Sequence, residues 1–225
     1  MKKVIITGST GMVGKGVLYE CLADERIEKV LIVNRSSLNV RHPKLSEVLL
    51  KDFTNVESIK DQLIGYDACF YCMGVSSVGM DEETFSKITF DTTKSFADTL
   101  YDVNSGMVFN YVSGEGTDSS VSSSTMWKNI KGKTENYILN KGFADAYMFR
   151  PNAIVPEKGI KSKTKLYNVL YVILRPFYGL MKKSKSITTT TKLGWVMIGT
   201  LFNSQELKHL ENPEINILAS QWTTS

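Results

Sequence analysis

The 225-residue chain has little of what would tie it to several protein classes. It holds three cysteines, an odd number too small for a disulfide framework, which suits a reducing, cytoplasmic setting. Two histidines, His42 and His209, stand without a matching cluster of carboxylates, so no metal is expected. No apolar run is long enough to span a bilayer. No secretory leader is expected, because the first strand begins almost at Met1. Acid is missing from one long stretch. Residues 158–192 carry nine of the 27 basic residues and no Asp or Glu. The remainder holds 18 basic against 23 acidic residues, so the two parts are expected to do different jobs.

What is present is an ordinary globular balance, 42% hydrophobic and 22% charged, with enough length for one α/β domain. The most informative stretch is Val4-Ile5-Ile6-Thr7-Gly8-Ser9-Thr10-Gly11-Met12-Val13-Gly14. An apolar run breaks into G-x-x-G-x-x-G and resumes as an amphipathic helix, with Val13, Val17 and Cys21 on one stripe. In such a turn backbone N–H groups close on a pyrophosphate, and the helix N-terminus faces the same charge. Val30-Leu31-Ile32-Val33 completes a β-α-β unit of about 30 residues. The spacing differs from G-x-G-x-x-G, and glycines also mark plain turns, so the surrounding unit carries the inference.

Apolar runs predict strands at Lys3–Thr7, Lys29–Val33, Ser46–Leu50, Asp67–Cys72, Met107–Val112 and Asp145–Phe149. Helices are predicted near Asn55–Leu63, Asp81–Tyr101 and Met126–Asn140. Strands apolar throughout and alternating with helices predict a Rossmann-type, doubly wound parallel sheet, class α/β. Residues 1–156 form the cofactor-binding part. Residues 157–225 form a small C-terminal extension on the substrate side of the same domain. It has helices near Leu166–Met181 and Lys192–Phe202 and a last strand at Glu214–Leu218.

The end of the second strand chooses between dinucleotides. An acid there binds the ribose 2′-hydroxyl of NAD, whereas an arginine accepts the 2′-phosphate of NADP. Asn34-Arg35-Ser36 has no acid and offers a guanidinium and a hydroxyl, so NADP(H) is favoured over NAD(H). Asp52 and Phe53 follow the third strand, where a carboxylate and a ring are placed to border an adenine; the plainer alternative for Asp52 is a helix cap.

The glycine turn Thr7 to Gly14, with Asn34-Arg35, Asp52, Cys72-Met73-Gly74 and Arg150-Pro151-Asn152, resembles the extended or atypical short-chain dehydrogenase/reductase superfamily. The family includes NAD-dependent epimerase/dehydratase-like proteins. From Tyr71 to Pro151 the chain is most similar to the Tat-interactive oxidoreductase-like branch. The resemblance implies a cofactor across the strand ends, on Gly8, Ser9, Thr10, Gly11, Met12, Val13 and Gly14. It places Cys72, Met73 and Gly74 beside the adenine ribose, Val112 and Ser113 under the nicotinamide half, and Pro151, Asn152 and Ala153 along the nicotinamide.

Reductases of this superfamily use Tyr-x-x-x-Lys on one helix face, with a serine upstream. The chain reads Trp127-Lys128-Asn129-Ile130-Lys131. Lys131 and Ser113 are the catalytic candidates, and Trp127 stands at the tyrosine position. An indole N–H only donates and does not titrate usefully, so ordinary carbonyl reduction is in doubt. Tyr111 or a hydroxyl of the Ser119–Thr125 loop is the compensating acid to look for. Lys131 and Trp127 are spaced for a cation–π contact.

Cys69-Phe70-Tyr71-Cys72 has C-x-x-C spacing, but on a strand residues i and i+3 face opposite ways, so two buried cysteines are expected rather than a pair. The apolar stretch inside the basic window is read first as a core-packing helix with lysines in water. Peripheral contact with an anionic membrane is the lesser reading, and nucleic acid is not expected. The long Asp81–Tyr101 helix offers a surface for a homodimer. Three functional readings follow: an NADP(H)-dependent oxidoreductase acting on a small molecule, a non-catalytic NADP(H) sensor or scaffold, and a nucleotide-sugar epimerase or dehydratase.

Overall fold

The computed structural model describes residues 1–160 and 184–222. Its strands are β1 (Lys2–Thr7), β2 (Ile27–Asn34), β3 (Leu45–Leu49), β4 (Ala68–Tyr71), β5 (Val108–Val112), β6 (Asp145–Arg150), β7 (Ala153–Val155), β8 (Ile187–Thr189) and β9 (His209–Glu211). Seven of them form one sheet in the order β3-β2-β1-β4-β5-β6-β9, and β7 pairs with β8. Every pairing is parallel. The helices are α1 (Met12–Ala23), α2 (Glu82–Ser86), α3 (Thr92–Val103), α4 (Met126–Leu139), α5 (Thr190–Gly199) and α6 (Asn212–Trp222). The predicted Rossmann sheet forms, and strand order reverses between β1 and β4. At that switch point a crevice opens beyond the strand C-termini.

The strands read as apolar throughout because both faces are covered. Ile5, Leu31, Val33, Tyr71, Phe109 and Tyr111 pack with Phe96 and Leu100 of α3 and Ile138 of α4. Their neighbours Val4, Ile6, Val30, Ile32, Phe70 and Phe149 pack with Val17 and Leu18 of α1, Leu193 and Met197 of α5, and Ile215 of α6. Each fully buried side chain of this size stabilises the fold by about 1.5–3 kcal/mol. Cys69 joins the first cluster and Cys72 the second, on opposite faces as the strand period requires.

Three expectations are revised. Glu214–Leu218 is no strand: it lies within α6. Ile215 and Ala219 are buried one helical turn apart, whereas Ile217 is exposed. Pro213 sits in the first turn, where a missing N–H costs little, and Glu214 Oε2 accepts from the Glu211 N–H at 3.1 Å. The last strand is instead β9, only three residues long, added beside β6. Asn55–Leu63 contributes a 3₁₀ helix, Val56–Leu63. The Asp81–Tyr101 helix is interrupted by a π turn at Lys87–Asp91 and runs on to Val103. The helix expected at Leu166–Met181 lies outside the described residues.

From the basic window, Lys158 pairs with the buried Glu20 of α1 at 2.6 Å, and Lys192 Nζ donates to Asn216 at 2.9 Å. The indole N–H of Trp195 donates to Glu20 as well, at 3.1 Å. Glu20 thus ties α1 to α5 and to the segment after β7. Among the described residues no helix is long and apolar enough to cross a membrane.

Candidate functional site

The glycine turn is built by close approach. Gly8 has φ +69°, and a Cβ there would stand 2.6 Å from the Cys72 carbonyl at the end of β4. A Cβ on Gly14 would run into the Gly8 carbonyl. Gly11 caps α1 with no side chain, and the first turn of α1 contains no acid. The first N–H groups of α1 therefore face the crevice with positive partial charge and no carboxylate to satisfy them.

A cavity of about 150 Å³ lies beyond this turn. Gly8, Thr10, Gly11, Asn34, Arg35, Ser36, Phe53, Cys72, Met73 and Gly74 line it, so ten of the predicted positions meet in one place. No acid is among its lining residues. The other turn positions act from behind. Ser9 is fully buried, donating to Asn34 Oδ1 at 3.0 Å and accepting from Asn34 Nδ2 at 2.9 Å. Val13 packs into the core under α1. Met12 opens α1, and Gly14 gives it room to approach the turn. Asp52 lines a neighbouring cavity, and its Oδ1 accepts from the N–H and hydroxyl of Thr54 at 2.9 and 2.6 Å. It thus closes a local turn, and caps no helix.

Glu47 was not foreseen. From β3 its carboxylate accepts from Asn34 Nδ2 at 3.1 Å, Ser37 Oγ at 2.5 Å and the Leu38 N–H at 2.9 Å. Partial burial raises its pKa, but these three donors prevail and hold the carboxyl below its usual range. Glu47 shapes the loop that carries Arg35 and Ser36.

At the ends of β5 and β6 the second group of predicted residues also converges. Lys131 Nζ, on α4, donates to the Ser113 carbonyl. It lies 5.9 Å from the Trp127 ring centroid, within cation–π range. Burial lowers the pKa of Lys131, with Glu135 opposing. Trp127 is half-buried beside the 114–116 loop and is no core residue. Ser113 follows Val112, and its N–H donates to the Phe149 carbonyl at 2.9 Å. Pro151 accepts from the Glu115 N–H at 3.2 Å. Asn212 spans the following segment, accepting from the Asn152 N–H at 3.4 Å and donating to the Ala153 carbonyl at 3.1 Å.

The hydroxyl of Ser113 is already engaged. It donates to Glu135 Oε1 at 2.5 Å, and Glu135 is fully buried. Arg150 grips the same carboxylate through Nε at 3.0 Å and Nη2 at 2.5 Å, and Nη2 also donates to Ser119 Oγ. His209 Nε2 stands 3.5 Å from Glu135 Oε2. Burial raises the pKa of Glu135, but His209, Arg150 and Ser113 outweigh it and keep the group ionised below its ordinary value. Tyr111, expected as a substitute acid, is ruled out. It is 2% exposed within the core, and burial pushes its hydroxyl pKa far upward.

No family model matches the chain. Protein HTATIP2 of Rattus norvegicus is 26% identical over 159 residues, which cover 70% of this chain and 64% of that protein. Less than two thirds of that relative's length is therefore matched. A short chain dehydrogenase family protein from Francisella tularensis superposes with TM-score 0.60 at 15% identity, covering 95% of this chain and 98% of that one. The Bordetella bronchiseptica enzyme WbmF, solved in complex with NAD+, gives TM-score 0.67 at 15% identity, over 99% and 78% of the two chains. Their shared fold is the Rossmann-like one described above.

Proposed function

We propose that the chain belongs with the extended short-chain dehydrogenase/reductase superfamily, in its Tat-interactive-like branch, and that it is an NADP(H)-binding, oxidoreductase-like protein acting on a small molecule. One observation carries the cofactor reading: the cavity past the glycine turn has Arg35 and Ser36 on its wall and no acid. A 2′-phosphate finds a planar donor fork there, and a bare ribose finds no carboxylate. Uncapped N–H groups at the start of α1 suit the pyrophosphate. WbmF and WbmH of Bordetella bronchiseptica were each solved in complex with NAD+, which supports a nicotinamide nucleotide in this fold.

NADPH supplies hydride when bound. The chain's own residues would orient it: Lys131 toward the ribose hydroxyls, and Pro151, Asn152 and Ala153 along the ring. With Trp127 in place of tyrosine, the ammonium of Lys131 would be a titratable donor at that end.

A second reading is NADP(H) binding without turnover, and the bond from Ser113 Oγ to Glu135 favours it. Fluorescence titration with NADPH and NADH, followed by a panel of aldehydes, ketones and quinones, tests both. Tighter NADPH binding supports the cofactor reading, and equal affinity refutes it. NADPH consumption with any substrate of the panel selects the enzyme; binding without consumption selects the sensor.

A further inference from the structure

A second cavity, of about 240 Å³, adjoins the glycine-turn cavity and shares Arg35, Phe53, Met73 and Gly74 with it. Its floor is apolar: Phe53 is 5% exposed and stacks on Phe96, and Met73 and Ile88 complete it. Its rim is cationic. Arg35, Lys51 and Lys87 stand against a single acid, Asp52, whose Oδ1 is occupied by Thr54. Among the described residues neither Arg35 nor Lys51 forms an ion pair. Lys87 acts on Asp52 electrostatically, after the stronger hydrogen bonds from Thr54.

The π turn places Lys87. An α-helix running straight from Glu82 to Val103 would hold one residue fewer per turn here; the wider Lys87–Asp91 turn sets Lys87, Ile88 and Thr92 on the cavity wall. Hydroxyls of Thr92 and Thr93 bond back to the Ile88 and Thr89 carbonyls at 2.5 and 2.6 Å and secure the bulge. Such bulges recur at functional sites because they are otherwise a defect in the hydrogen-bond ladder.

An apolar floor with three cations on its rim fits a flat base whose sugar carries an additional phosphate. We propose that Lys51 and Lys87 act with Arg35 as specificity residues for the 2′-phosphate of an adenosine nucleotide whose base lies on Phe53, Met73 and Ile88. This rests on the NADP(H) reading and extends it to two lysines outside the second-strand signature. The apolar floor recognises the base in either dinucleotide, and the rim recognises the phosphate.

The test is calorimetric titration of the full chain with 2′,5′-ADP, 3′,5′-ADP and 5′-AMP, at two salt concentrations. Wild type, Arg35→Ala, Lys51→Ala, Lys87→Ala and the double lysine variant are compared. Wild type should prefer 2′,5′-ADP over both other nucleotides. Each single lysine variant should lose about fivefold on 2′,5′-ADP, with 5′-AMP unchanged. The double variant should show a shallower salt dependence. Lys51 and Lys87 are exposed, so unchanged melting temperatures will separate lost binding from lost folding. Retained 2′,5′-ADP affinity in the double variant, with loss in Arg35→Ala, overturns the lysine assignment and leaves the NADP(H) reading standing. Equal wild-type binding of 2′,5′-ADP and 5′-AMP overturns that reading itself. Equal binding of 3′,5′-ADP overturns the choice of the 2′ position.

Discussion

The two ends of the crevice are built on opposite plans. Beyond β2, β3 and β4, the cationic side chains line open cavities, and Arg35 and Lys51 form no ion pair among the described residues. Beyond β5 and β6, the polar side chains are bound to one another: Lys131 to the Ser113 carbonyl, Ser113 to Glu135, and Glu135 to Arg150. The first end leaves these cations facing the cavities. The second has spent its hydrogen-bonding groups on its own framework. The two ends of one crevice therefore differ in what their polar groups are bound to, and each is expected to fail in a different way when altered.

The largest effect is expected at Glu135. Removing it as Glu135→Ala leaves Arg150, whose side chain is 12% exposed, as a buried cation without its carboxylate. A loss of about 3–5 kcal/mol in unfolding free energy should follow, read by urea denaturation. Glu135→Gln should recover part of it by keeping the acceptor. A loss below about 1 kcal/mol in the alanine variant would mean that the hub is not structural and that the contrast between the two ends is wrong.

Arg35→Ala should weaken NADPH by about 1.5–3 kcal/mol, roughly tenfold or more in Kd, and leave NADH nearly unchanged. Stability should not move, because Arg35 is exposed and holds nothing together. Equal losses for the two cofactors would remove the 2′-phosphate from the first end.

Acid should weaken the second end through Glu135. The folded pKa of Glu135 is lowered, because the neighbouring His209, with the donors Arg150 and Ser113, prevails over the burial that would raise it. Its stabilisation is therefore complete above the ordinary glutamate value of about 4.3 and disappears as pH falls through the lower folded value. Asp98 and Asp145 act in the same direction: partial burial opposes them, and hydrogen bonds led by Lys141 and Lys208 prevail. Unfolding free energy should thus decline from about pH 4 downward, and less steeply in Glu135→Gln. Parallel curves would take Glu135 out of the acid-sensitive set.

The difference between the ends also explains what was legible in the sequence. Residues of the first end lie in short local runs at strand termini, at Gly8–Gly14, Asn34–Ser36 and Cys72–Gly74, so spacing alone brings them together. The hub of the second end joins Ser113, just past β5, with Glu135, Arg150 and His209 from α4, β6 and β9, and no local pattern marks such a set. β9 escaped because three residues with one buried leucine carry no periodicity. Ile215, Ile217 and Leu218 read as a strand because a short apolar run fits either period; only burial of Ile215 and Ala219 decides for the helix. The π turn leaves no mark in composition, and with it Lys87 went unread.

The smallest change asked of the molecule is Trp127→Tyr, and it separates a missing phenol from an occupied framework. A cation–π contact with Lys131 at 5.9 Å contributes about 0.5–1 kcal/mol, and tyrosine retains most of it, so stability should shift by less than that. The substitution restores Tyr-x-x-x-Lys, but a phenol works as an acid only if its neighbours serve it. Lys131 must leave the Ser113 carbonyl to lower the phenol pKa, and the Ser113 hydroxyl must leave Glu135 to hold a substrate oxygen. Trp127→Tyr alone should therefore show no more NADPH consumption on the carbonyl panel than wild type. A gain of tenfold or more would show that the tyrosine was the only part missing, and that the hub around Glu135 supports catalysis instead of replacing it.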